Sequence, residues 1–178
     1  MLSEPTRDPV HAARYAFEPR GDDLYVETWL EPGGGLPEHL HPRQEERWSV
    51  ESGRAWVKLA GTEIVVGPDD GEILVRPGVK HALHNRGDEE VHLSCLVLPA
   101  GRLQEFLTDS AAAAREGLFA KGGIPKSLRG ARWAASFLAR HREEVVMSFP
   151  PRFAQRAMVA VLGGNGSGAG AEAGSAST

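Results

Sequence analysis

Residues 39–46 of this chain read HLHPRQEE. They place two histidines, His39 and His41, one residue apart, with carboxylates a few residues on, and a third histidine, His81, follows later in the chain. Imidazole and carboxylate ligands together suit the divalent first-row metals. If three imidazoles and one carboxylate converge, they form a mononuclear metal site that leaves positions open for a substrate.

Strand geometry explains how these side chains could meet. Alternate residues of a strand point to the same face, so His39 and His41 are expected to project together. Pro42 would end that strand, and the chain would turn back so that a carboxylate of the next strand lies beside the pair. His81 comes shortly after the Pro77-Gly78 turn signal, at the start of another predicted strand. Three imidazoles and one carboxylate would occupy four positions of an octahedral ion, leaving two for water, dioxygen or substrate.

The segment from Asp22 to Ala100 alternates short β-rich stretches with turns that contain Gly, Pro or Asp. Short strands at this spacing predict an all-β sandwich or barrel. The predicted strands cover residues 24–30, 39–41, 47–50, 55–60, 63–66, 72–76, 81–85 and 91–98.

The two flanks of this segment differ from it. Residues 1–21 are polar and proline-containing, which predicts an irregular lead-in. Residues 101–162 have apolar residues at helical spacing and predict a helical extension of three helices, the second opened by Ser127 as cap. Residues 163–178 are Gly, Ala and Ser almost throughout and predict a disordered tail.

Length and composition limit the possible classes of protein. The 178 residues suffice for one domain with a sizeable core. A net charge of -4 without a dense basic run argues against a nucleic-acid partner. The lone cysteine, Cys95, excludes an internal disulfide framework and fits a reducing compartment. The chain has neither a signal-peptide pattern nor an apolar run long enough to span a bilayer. We therefore expect a soluble cytoplasmic protein without a membrane partner.

The chain resembles the cupin superfamily in both of that family's signature motifs. The first motif runs glycine, five residues, His-x-His, three or four residues, Glu, six residues, Gly. It is matched in full by Gly33, His39, His41, Glu46 and Gly53.

The second motif, Gly-x-x-His-x-x-x-Asn, is matched by Gly78, His81 and Asn85. Arg76 stands where this motif usually has a proline, and Pro77 follows one residue late. The departure concerns the turn and leaves the ligand position unchanged.

The resemblance covers roughly residues 22–100. It implies an all-β fold, the double-stranded β-helix or cupin jelly-roll barrel (RmlC-like), here with a C-terminal helical extension. It also implies that one divalent transition metal (Fe, Mn, Ni, Co or Zn) is held by His39, His41, Glu46 and His81. Glu45 competes for the carboxylate role, and Glu46 is preferred because only it gives the motif's spacing to Gly53.

Further side chains are assigned by strand parity. Trp48 lies two residues from Glu46, and Asn85 lies four residues from His81, so each is expected on the same face of its strand as that ligand. Both could line a substrate pocket, although core packing would explain them equally well. Single histidines are usually structural, and His11, His92 and His141 carry no functional prediction. Beyond the metal ligands, the sequence identifies no catalytic residue.

The resemblance implies a metal-dependent enzyme acting on a small molecule, of oxygenase (oxidoreductase), isomerase or cyclase type. One fold and one site serve many chemistries, so the reaction stays open. The alternative is a non-catalytic small-molecule-binding or sensor cupin. Because such barrels expose sheet edges, we also expect a homodimer.

Overall fold

The computed structural model describes residues 1–148 together with residues 153, 156, 157, 160 and 161. Its first ten strands are β1 (Thr6–Asp8), β2 (Ala13–Arg20), β3 (Asp23–Leu30), β4 (Gly35–Leu40), β5 (Glu45–Ser52), β6 (Ala55–Leu59), β7 (Thr62–Val66), β8 (Ile73–Val75), β9 (His81–His84) and β10 (Val91–Leu98). The elements that follow are α1 (Leu103–Arg115), β11 (Phe119–Ala120), β12 (Ile124–Pro125), α2 (Leu128–Arg140) and β13 (Val146–Met147). Two short 3-10 turns cover Pro68–Asp70 and Lys121–Gly123.

Two antiparallel sheets form the barrel. One has the strand order β1-β2-β3-β10-β5-β8, and the other has the order β13-β4-β9-β6-β7. Strands far apart in the chain are neighbours within each sheet, as in a jelly roll. The predicted all-β double-stranded β-helix with C-terminal helices is therefore confirmed.

The core lies between the inner faces of the two sheets. In β3 and β10 every second side chain is buried, because alternate residues of a strand point to one face. Val26 of β3, Cys95 of β10 and Trp48 of β5 are paired in register and form one row of this core. Burial raises the pKa of the Cys95 thiol well above its usual value, which suits an inert packing residue.

The N-terminal segment differs from the sequence-based expectation because it contains two strands. Residues 1–21 are not an irregular lead-in, since β1 and β2 continue the larger sheet beyond β3. The reason is the alternation of Ala13, Tyr15 and Phe17, which all face the core. Pro19 is tolerated because β1 reaches along β2 only as far as Tyr15, so the proline has a strand on one side only.

The C-terminal extension contains the two expected helices, and the Oγ of Ser127 caps α2 by accepting from the Gly130 N–H at 3.2 Å. It is not wholly helical, however. After α2 the chain returns to the barrel, where β13 pairs with β4 next to His39. Of the predicted third helix, residues 153, 156, 157, 160 and 161 are helical and exposed, whereas the other residues beyond 148, including the tail 163–178, lie outside the described part. Among the described residues, no helix combines the length and apolar character needed to cross a membrane.

Candidate metal centre

Three histidines meet on the inner face of the smaller sheet. His39 on β4 is paired in register with His81 on β9, and His41 follows at the end of β4. One ligand atom from each lies within 4.8 Å of those from the other two. The Nε2 atoms of His39 and His41 are 3.2 Å apart. The structure thus brings together the histidines that the two sequence motifs singled out.

The other nitrogen of each ring faces a backbone carbonyl. The Nδ1 of His39 lies 2.8 Å from the Pro37 oxygen, and the Nδ1 of His81 lies 3.2 Å from the Val79 oxygen. The Nδ1 of His41 lies 2.8 Å from the Glu144 oxygen. Because a carbonyl only accepts hydrogen bonds, each Nδ1 carries the proton. Each Nε2 is therefore the ring atom that faces the cluster and can offer a lone pair to a metal.

Glu46 on β5 completes the cluster from the opposite sheet. Its Oε1 lies 3.1 Å from His41 Nε2, and its Oε2 lies 2.9 Å from His81 Nε2. The indole N–H of Trp48 donates to Oε2 at 3.0 Å and fixes the carboxylate. Glu45, the competing carboxylate, is half-buried on the other side of the strand and forms an ion pair with Arg47 at 2.9 Å. The geometry therefore places Glu46, and not Glu45, beside the histidines.

The donor set of this cluster fits a divalent cation. His81 Nε2 is fully buried and has no hydrogen-bond partner among the described residues, although the Glu46 carboxylate is close. Lone pairs of three imidazoles and a carboxylate repel one another unless a proton or a cation lies between them. Nitrogen and oxygen donors of these types are ligands for zinc, iron, manganese, cobalt and nickel.

Burial and neighbouring charges shift the pKa values of the cluster residues. Burial, reinforced by His81 and His41, holds the pKa of His39 well below its usual value. Burial also lowers the pKa of His41, but the Glu46 carboxylate outweighs it and the net shift is upward. Burial raises the pKa of Glu46, yet the charge and hydrogen bond of His41 bring it well below the ordinary value. Without a metal, these directions favour a protonated His41 beside a charged Glu46 carboxylate.

A cavity of about 1230 Å³ borders the cluster and is lined by His39, His41 and Glu46. Both the barrel and the helical extension supply its apolar wall. The barrel residues include Val26, Trp48, Cys95 and Val97, and the extension adds Leu103, Phe106, Leu107, Trp133, Phe137 and Met147. The cavity is large enough for a small organic molecule.

Of the two residues predicted to line a substrate pocket, only Trp48 lies in the cavity wall. Trp48 lines the cavity, while Asn85 is not part of its wall. The Asn85 amide donates to the carbonyls of Leu30 at 2.9 Å and Glu89 at 2.7 Å, and its oxygen accepts from the Gly87 N–H at 3.0 Å. Asn85 is a loop-fixing residue, which corrects its assignment to the pocket.

Sequence reasoning missed two features of the site. One is the carbonyl of Glu144, which no motif could have indicated. The other is the pair formed by Asp8 and His11, both of which line the cavity. Asp8 is buried, its Oδ2 lies 2.7 Å from His11 Nδ1, and its Oδ1 accepts the N–H groups of Val10 and His11. The only signal was an acidic residue three positions before a histidine, in a segment taken to be irregular.

Comparison with known proteins agrees with the motifs. The Cupin domain family matches residues 26–98. A protein of Arthrobotrys oligospora that is named an oxidoreductase is 40% identical over 58 residues, which are 33% of this chain and 23% of that protein. The chain thus spans about a quarter of the length of this curated relative.

Solved structures share the fold. An RmlC-like cupin from Shewanella frigidimarina superposes with a TM-score of 0.50 and 20% identity, over 57% of this chain and 87% of that one. KdgF from a Halomonas species superposes with a TM-score of 0.50 and 14% identity, over 57% of this chain and 91% of that one. Since both signature motifs, the jelly-roll topology and the family match coincide in one segment, residues 26–98 of this chain form a cupin domain.

Proposed function

We propose that this cupin is a metal-dependent enzyme that acts on a small molecule, with one divalent transition metal held by His39, His41, His81 and Glu46. The observation that carries the proposal is the convergence of three Nε2 lone pairs whose rings are oriented by backbone carbonyls. A buried carboxylate facing two of them supplies the fourth donor. Such oriented donors are characteristic of metal sites.

The metal would supply Lewis acidity toward a carbonyl or enol oxygen, or a site where dioxygen and substrate meet. The chain's own residues perform the remaining tasks. Aromatic and aliphatic side chains of α1 and α2 exclude water and hold an apolar substrate against the barrel. Asp8 binds His11 Nδ1, which leaves His11 Nε2 as the ring atom that can accept a proton from a substrate in the cavity.

Metal analysis is the first test of this proposal. Protein purified without chelator is expected to hold about one metal ion per chain, and His39→Ala or His81→Ala is expected to remove it. The matched control is His92→Ala, because His92 stacks on Trp29 and bonds to Glu27, away from the cluster. Equal metal content in wild type, both variants and the control would show that the ligands are wrongly assigned.

The reaction type is tested next. The local match to a protein named an oxidoreductase makes oxygen consumption with enols and catechols the first assay. Turnover that consumes no oxygen would favour an isomerase or a cyclase of the same metal centre. A protein that binds such compounds tightly and leaves them unchanged would be a non-catalytic binding cupin, and the enzyme proposal would fall.

We also propose that the protein is a homodimer. Strand β8 lies at one end of the larger sheet, and β7 lies at one end of the smaller sheet. They expose Ile64 (41%), Val65 (44%) and Leu74 (38%), which is an apolar edge of the type that oligomers cover. Light scattering of the full chain should give twice the chain mass, and Val65→Lys should shift it toward one chain mass. A monomeric wild type would refute the proposal.

A further inference from the structure

A second group of metal-ligating side chains lies between the two helices of the extension. Glu105 and Asp109 are four residues apart on α1 and so share one face of that helix. His141 follows directly after α2. One ligand atom from each of the three lies within 4.8 Å of the other two. These residues are distinct from the histidine cluster described above.

His141 is the independent reason to expect a ligand here. The residue is only 1% exposed, and neither of its ring nitrogens has a hydrogen-bond partner among the described residues. Its ring packs against Phe106 and Phe137, with centroid distances of 5.5 Å and 4.8 Å. A buried imidazole without partners is unfavourable unless something binds it. Its Nε2 lies 4.0 Å from the Oδ2 of Asp109.

We propose that Glu105, Asp109 and His141 form a second divalent-cation site that ties α1 to the end of α2. An ion bound about 2.1 Å from each ligand holds its donor atoms roughly 3 to 4 Å apart. The three donor atoms of this cluster already lie within 4.8 Å of one another. One imidazole and two carboxylates suit zinc or cobalt.

Two arginines at present neutralise the carboxylates. Arg102 donates to both oxygens of Glu105, at 2.9 Å and 2.5 Å. Arg140 Nη1 lies 3.4 Å from Asp109 and 4.0 Å from Glu105. Both arginine side chains are nearly half exposed, at 47% and 44%, so they can turn into solvent when a cation binds. Exposed ion pairs of this kind contribute little to stability and are easily exchanged.

The site would act on the cavity beside the histidine cluster through one turn. The carbonyl of His141 accepts the N–H groups of Glu144 at 2.9 Å and Val145 at 3.1 Å. Glu144 in turn offers the carbonyl that orients His41. An ion on His141 would therefore fix the helical wall and the turn that supports the first metal centre.

Zinc titration of metal-stripped full-length protein tests the proposal. Wild type should bind two equivalents, and Asp109→Asn should bind one. The His39→Ala/His81→Ala double variant should also bind one, and adding Asp109→Asn to it should abolish binding. Glu116→Gln is the matched control, since Glu116 follows the same helix and pairs only with Arg129 among the described residues; it should keep both equivalents.

Two readouts guard against a misfolded variant. In the double variant, zinc should shift the ring 15N and 1H resonances of His141 and raise the melting midpoint, and Asp109→Asn should remove both effects. If the double variant does not fold, the comparison of wild type with Asp109→Asn decides alone. A wild type that binds one equivalent and an Asp109→Asn variant that binds none would refute the first centre and keep this one. Unchanged stoichiometry in Asp109→Asn would show an ion-pair network only and overturn the inference.

Discussion

The imidazole of His41 donates its Nδ1–H to the backbone carbonyl of Glu144 over 2.8 Å, although 103 positions separate the two residues. The carbonyl belongs to the turn between α2 and β13, so the extension supports a histidine of the barrel. Gln44 holds the same turn, because its Nε2 donates to the Glu144 carboxylate at 2.7 Å and to the Ala100 carbonyl at 3.2 Å. Barrel and extension thus form one site.

Gln44→Ala should weaken metal binding without removing a ligand. Loss of the amide frees the Glu144 turn, and hydrogen bonds of this kind to a ligating histidine are worth about tenfold or more in metal affinity. Competition with a zinc chelator measures the change. Glu143→Gln, at the exposed neighbouring position, is the control and should bind like wild type. Equal affinities for the two variants would mean that the turn does not orient His41.

Glu46→Gln and Glu45→Gln form a matched pair that tests the carboxylate. Glu46→Gln should lower metal affinity at least tenfold, because replacing the carboxylate with an amide removes the negative charge beside His41 and His81. Glu45→Gln removes only the ion pair between the half-buried Glu45 and Arg47, on the other side of the strand, and should leave the metal content unchanged. Isothermal titration with zinc measures both. Metal loss in Glu45→Gln, with Glu46→Gln unaffected, would reverse the assignment.

The buried Asp8 carboxylate should make folding stability depend on pH. Burial raises the pKa of Asp8, but the hydrogen bond and charge of His11 outweigh it, and the pKa lies below the ordinary 3.8. A carboxyl whose pKa is lowered by folding stabilises the native state above its unfolded pKa, and this is lost as the pH falls through the native pKa. Asp8→Asn should therefore be less stable than wild type at pH 7, by about 1–3 kcal/mol.

Urea unfolding at several pH values between 3 and 7 measures this difference. The difference in the free energy of unfolding between wild type and Asp8→Asn should decrease below about pH 4, where Asp8 protonates in the unfolded state. Glu4→Gln, at an exposed position of the same segment, should show no such trend. A gap that stays constant over the whole range would mean that Asp8 contributes through packing alone.

His11→Gln should reduce turnover by about 100-fold once a substrate is known, since general bases contribute on the order of 10²–10⁴. The metal content should be unchanged, because His11 is not among the grouped metal-binding histidines. A metal-loaded His11→Gln variant that keeps the wild-type turnover would show that His11 takes no part in the proton transfer.

Several elements could be predicted from residues alone, for physical reasons that are local. Strand alternation placed Trp48 and Cys95 on the inner face, and the motif spacing selected Glu46 over Glu45. The first of these features depends on the two-residue period of a strand, which any short window of sequence contains. The second depends on the resemblance to the cupin motif, whose spacing to Gly53 only Glu46 meets. Ser127 as a helix cap is local in the same way.

Other features depend on long-range contacts. The strand character of residues 13–20 was hidden by Pro19, whose tolerance depends on how far a neighbouring strand extends. Asn85 does not line the pocket as predicted, because its amide donates to the carbonyl of Leu30, which is distant in the chain. Neither partner is visible in a window of sequence around the residue.

Residue patterns predicted a β sandwich or barrel followed by helices, and the resemblance to the cupin motifs implied the jelly-roll topology and the four side chains of the candidate metal centre. The packed structure was needed to show that these helices line the cavity, that the Glu144 carbonyl orients His41, and that Asp8 and His11 face the same space. The reason is the distance along the chain between the residues involved. Periodicity and motif spacing depend on neighbouring residues, whereas a cavity wall and a hydrogen bond between residues 103 positions apart form only after the chain has packed.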